Sequence, residues 1–85
     1  MPKRISQKLL ADYKVEIARR VRTVRDERGW TQEDVAALLG CSRTKMNRIE
    51  NGRAELTGSE LAALAHTFKV PVEVLFYEVE NSSAA

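Results

Sequence analysis

Apolar residues recur at helical intervals along the first third of the chain. Leu10, Ile17, Val21 and Val24 follow one another at spacings of seven, four and three, which draws one stripe down a helix. The stripe predicts a helix from about Ser6 to Arg28, with Arg19, Arg20, Arg22, Arg25 and Arg28 over much of its remaining surface. Gly29 supplies the left-handed residue that commonly follows a helix end. Residues 6–15 fit either an extension of this helix or a separate short one. Thr31 followed by Asp34 is a variant capping box, and predicts a second helix over Gln32–Leu39 that buries Val35, Ala36, Leu38 and Leu39 and stops at Gly40. Ser42 is the next N-cap, and a third helix runs to about Glu50 with Met46 and Ile49 facing inward. Asn51-Gly52 ends it with residues that tolerate positive φ. Thr57 with Glu60 repeats the capping box before a fourth helix whose inner face holds Leu61, Leu64, Ala65 and Phe68. Pro71 breaks the pattern, and a short fifth helix carries Val74, Leu75 and Phe76. No credible strand pair is present, so the pattern predicts an all-α fold.

Composition narrows the class. Eighty-five residues make one domain, and 44% hydrophobic with 31% charged residues is globular rather than disordered material. Scarce aromatics and many Leu, Val, Ile and Ala side chains suit packed helices. The apolar stretches fall far short of the ~20 residues that span a bilayer, and Lys3-Arg4 is followed by no hydrophobic region, so neither membrane partner nor signal peptide is expected. A single cysteine, Cys41, forms no internal disulfide, and no metal-ligand cluster stands out, which fits a reducing cytoplasm. Charge is uneven. Residues 1–53 hold 13 Lys/Arg against 7 Asp/Glu, a balance of +6, whereas residues 54–85 hold 1 against 5, a balance of −4. A basic front and an acidic back suit a protein that presents one face to a polyanion, although an unevenly solvated helix surface gives the same numbers.

The informative unit is Gln32 to Asn51, two short helices joined by a tight turn at Gly40-Cys41-Ser42. Ala36 lies where the helices cross, Gly40 permits a backbone that a Cβ would disfavour, and Val35, Leu39, Met46 and Ile49 lock the crossing, with Cys41 filling a small apolar slot. Thr31-Gln32, Ala36, Gly40, Ser42 and Glu50-Asn51-Gly52, with Leu61, Leu64-Ala65, Val70 and Leu75-Phe76 further on, resemble the Cro/cI-type, XRE-like helix-turn-helix family over residues 17–76. The resemblance implies a compact five-helix, lambda-repressor-like DNA-binding domain over residues 17–78, with the motif at 32–51. A basic, helical extension precedes it at 1–16 and a flexible tail follows at 79–85. In chain size it is similar to restriction-modification controller proteins and small phage regulators.

In this motif the second helix enters the major groove. Arg43, Thr44, Asn47 and Arg48 then point at base edges: arginine suits guanine O6 and N7, asparagine suits adenine, and the threonine methyl suits thymine. By resemblance Gln32, Asn51 and Arg53, with Lys45, hold the DNA backbone. The chain departs from the family pattern at Leu56, where proline is common, and carries Glu55 where a basic residue would help. The resemblance also pairs Arg25 with Glu50. One recognition helix reads few base pairs, so a homodimer reading two half-sites about 34 Å apart is expected. In the family the fourth-to-fifth helix region makes that contact; Val70, Val72, Val74, Phe76 and Tyr77 supply the apolar surface here. The expected function is a sequence-specific, double-stranded-DNA-binding repressor or autoregulator, with no activation or ligand-sensing domain and no cofactor. The alternative is an antitoxin or adaptor whose acidic C-terminal half binds a partner protein. His66 without a His or Cys neighbour reads as a surface residue, Trp30 as a cap on the core, and Lys3–Lys14 as a DNA arm, a dimer accessory or a plain extension. No nucleophile, base or phosphate-cradling loop forms an enzyme constellation.

Overall fold

The computed structural model describes residues 3–78. It contains α1 (Gln7–Glu27), α2 (Gln32–Leu39), α3 (Arg43–Glu50), α4 (Gly58–Phe68) and a 3-10 turn over Val72–Leu75. The tail expected at 79–85 lies outside the described residues.

Each helix starts where a side-chain oxygen takes an otherwise orphaned backbone N–H. Ser6 accepts from Leu9 N at 3.0 Å and Ser42 from Lys45 N at 3.1 Å. Thr31 with Asp34, and Thr57 with Glu60, close reciprocal capping boxes. Gly40 ends α2 in the left-handed region at φ 70°, and Cys41 N returns to Ala36 O at 2.9 Å, which sets the tight turn into α3. α4 ends the same way on Lys69 at φ 61°, where no glycine is available.

The core is a single cluster. Val21 and Val24 of α1, Val35 and Ala36 of α2, Met46 and Ile49 of α3, Leu61, Leu64, Ala65 and Phe68 of α4, and Leu75 close on one another. Trp30 packs edge-on to Phe68, ring centroids 6.1 Å apart. Two α1 arginines reach across to the back of the molecule. Arg28 Nε donates to Phe68 O at 2.8 Å, placing a cation at the C-terminus of α4, and Arg20 Nε donates to Val74 O at 3.0 Å.

Three expectations need correction. The fifth helix is a single 3-10 turn, with Val74 N bonded to Pro71 O and Phe76 N to Glu73 O. Four residues between Pro71 and the chain's return suffice to eclipse Val72 and Leu75 on one inward side. Leu38 is exposed, because the buried side of α2 is centred between Val35, Leu39 and Ala36, and Leu38 lies about a third of a turn away. Leu10 is exposed as well. α1 runs unbroken for 21 residues, about 31 Å, and its first two to three turns overhang the bundle, so the apolar stripe outlasts the core it serves.

Candidate nucleic-acid interface

α3 has eight residues and two unlike sides. Met46, Ile49 and Glu50 are buried, while Arg43, Thr44, Lys45, Asn47 and Arg48 are exposed. At 100° per residue Arg43, Asn47, Thr44 and Arg48 fall within one outward arc of about 140°, and these four side chains together line one open groove on the surface. Lys45 sits on the flank beyond it. Ser42 caps the end of α3 that carries Arg43, so the exposed arc begins from an ordered first turn. Met46 and Ile49 turn the opposite side into the core, where α3 packs against α1 and α2.

The arrangement is held by a buried polar junction under α3. Arg25 of α1 meets Glu50 in a two-pronged pair, Nε to Oε2 at 2.6 Å and Nη2 to Oε1 at 3.0 Å. Arg25 Nη1 also donates to Trp30 O at 2.6 Å, and Gln32 Nε2 from α2 donates to Glu50 Oε1 at 3.0 Å. One carboxylate therefore ties three helices. The hydrogen bond to Glu50 holds the Arg25 guanidinium above its ordinary pKa, helped by the negative charges of Glu50 and Asp26 against the opposing effect of burial. No buried side-chain polar atom among the described residues lacks a partner.

The backbone-contact candidates surround this junction. Gln32 is half-buried at the first turn of α2, one amide proton committed to Glu50. Asn51 and Arg53 are exposed just beyond α3. Asn51 Nδ2 donates to Asn47 O and Oδ1, and Arg48 Nη2 reaches Arg53 O at 3.4 Å. Arg43 Nη1 lies 3.8 Å from Glu33 Oε1, an exposed pairing across the turn worth under about 1 kcal/mol. Of the apolar residues assigned to self-association, Val70, Val72, Val74 and Phe76 are half-buried against the core, and only Tyr77 stands exposed. His66 is exposed on α4. Among the described residues no three His, Cys, Asp or Glu side chains gather as a metal site, and no helix is long and apolar enough to cross a membrane. Sequence reasoning missed the roles of Arg20, Arg28 and the Gln32 amide. Their partners lie 54, 40 and 18 residues away, two of them backbone carbonyls, which leave no mark in sequence.

The fold and this exposed, capped α3 define a small helical protein built around a helix-turn-helix. The helix-turn-helix domain family model matches residues 16–75, and the chain belongs to that family; the XRE-like resemblance carried by its motif holds. It is 33% identical over 67 residues to the competence pilus inhibition repressor of Acinetobacter baylyi, covering 79% of this chain and 61% of that protein. The chain thus spans somewhat under two thirds of that relative's length. The restriction-modification controller protein C.AhdI of Aeromonas hydrophila is similar in structure, with TM-score 0.66, 27% identity, and coverage of 74% of this chain and 96% of that one. The structure of a hypothetical transcription factor from Neisseria shares the fold over 99% of this chain and 92% of its own, at TM-score 0.69 and 23% identity.

Proposed function

We propose that this chain is a transcription regulator that binds double-stranded DNA in a sequence-specific way, as a homodimeric repressor or autoregulator on a pseudo-palindromic operator. The observation that carries the reading is the two-sidedness of α3: Met46 and Ile49 pin it, and Arg43, Thr44, Asn47 and Arg48 form one exposed polar arc, as a helix that enters a major groove requires. Arg43 and Arg48 read guanine, Asn47 reads adenine, and Thr44 offers a methyl to thymine. Gln32, Lys45, Asn51 and Arg53 set register on the phosphates. Asn51 and Asn47 are already hydrogen-bonded to each other, so the base-reading and backbone-holding amides are oriented before DNA arrives. Repression is the role named for the Acinetobacter relative, and control of restriction-modification for the Aeromonas structure.

The test begins with selection of preferred duplexes from a random pool, followed by footprinting and titration. Arg43→Ala is expected to lose about 1–3 kcal/mol on the selected site and to relax one base preference. An unchanged footprint and affinity, or no duplex preferred over any other, refutes the reading.

A further inference from the structure

The overhang of α1 carries an apolar stripe that none of the described residues covers. Leu9, Leu10 and Tyr13 are 46%, 49% and 52% exposed, and Ile5 just before the helix is exposed too. These residues continue the stripe that Ile17, Val21 and Val24 press into the core. Tyr13 lies two turns, about 10 Å, before Arg20 and within about 20° of it around the helix. Arg20 is the residue that clasps Val74 O. The exposed stripe and the 3-10 turn therefore share one side of the molecule, where Tyr77 also stands exposed.

We propose that the α1 overhang of one protomer packs across the Val72–Tyr77 surface of a second copy of this chain, reciprocally about a two-fold axis. The inference rests on the homodimer reading above and names the surface that completes it. Two observations select a second copy as the occupant. Area is the first: stable interfaces bury about 800 Å² per partner. One exposed tyrosine and four half-buried side chains at the 3-10 turn are a small surface against that, and the exposed Ile5, Leu9, Leu10 and Tyr13 of the overhang extend it. Geometry is the second: a two-fold interface needs both halves on one side of the protomer, as they are here.

The experiment is sedimentation equilibrium on the full chain, with and without its selected duplex. Leu9→Ser/Tyr13→Ser is expected to raise the dimer dissociation constant at least tenfold, while helical circular dichroism stays unchanged because both side chains are exposed in the single protomer. Leu38→Ser, at an equally exposed leucine on α2, is expected to leave dimerisation unchanged. In a Cys41→Ser background, mixed Tyr13→Cys and Tyr77→Cys proteins are expected to cross-link to each other through a short bismaleimide in preference to Tyr13→Cys with itself. If the double variant dimerises like the parent while Tyr77→Ser dissociates, the overhang proposal falls and the dimer reading survives. Preferred Tyr13–Tyr13 cross-linking likewise overturns it. A parent chain that stays monomeric on and off DNA overturns both.

Discussion

Glu50 receives two donors from Arg25 and one from Gln32 while almost wholly buried, so its charge is stable only as long as those donors stay. Removing the arginine leaves a buried carboxylate whose desolvation nothing offsets. Arg25→Ala is therefore expected to cost about 3–5 kcal/mol in urea-induced unfolding, a large share of the stability of a domain this size. Arg25→Met with Glu50→Leu is expected to recover most of the loss, since it removes the stranded charge along with the pair. If the double variant is no more stable than Arg25→Ala, stability depends on the ion pair itself and not on avoiding an unpaired charge. The pH behaviour follows from the direction of the Arg25 shift. A group raised above its unfolded value contributes fully below that unfolded value and loses its contribution only as pH climbs through the folded one, so the arginine's contribution stays constant through neutral pH. Arg25 and Glu50 are named by the motif, but their closure around the Trp30 carbonyl is not, because a carbonyl acceptor carries no residue-type signal.

At the level of elements, the caps made the chain legible. Thr31, Ser42 and Thr57 mark three helix starts to the residue because an N-cap is a local event, decided by a side chain and an N–H three positions on. Burial was read less well. Leu10 and Leu38 match the apolar pattern yet face outward, since periodicity says which side a residue occupies and not how far the neighbouring core extends. The fifth element departs from the predicted helix for a related reason: four residues after a proline show no period to distinguish 3-10 from α. Helix ends are less legible than helix starts, and α4 shows why. Lys69 adopts φ 61° to end it, a conformation that costs a residue with a Cβ about 1–2 kcal/mol. Lys69→Gly is expected to stabilise the protein by about 1 kcal/mol, partly offset by glycine's greater unfolded-state entropy, raising the melting temperature by several degrees. A lower melting temperature by calorimetry shows that the Lys69 side chain contributes more than its backbone strain costs.

For the whole molecule the sequence's charge asymmetry overstates what is available to DNA. Arg25 is consumed by Glu50, Arg20 and Arg28 are tied to carbonyls, and Lys8 and Arg19 are paired with Asp12 and Glu16. Four cations remain on or beside the α3 arc: Arg43, Lys45, Arg48 and Arg53. If the two arginines at the groove read bases and the other two cations hold phosphates, a dimer neutralises about 4 phosphates, and about 8 if all four hold phosphates. The counterion-release relation then gives a slope of about −3.6 to −7 in log affinity against log salt, a loss of about 10²–10⁴-fold between 50 and 200 mM. Gln32 and Asn51, being neutral, add contacts without adding to that slope. The location of the phosphate-binding charge is then testable by substitution. Lys45→Gln, changing both protomers, is expected to make the slope shallower by about 2. Arg20→Gln removes an equal charge, but one bound to Val74 O at the back, and is expected to leave the slope unchanged. Equal effects from the two substitutions mean that DNA senses only the total charge of the chain, and the assignment of a binding face to α3 fails.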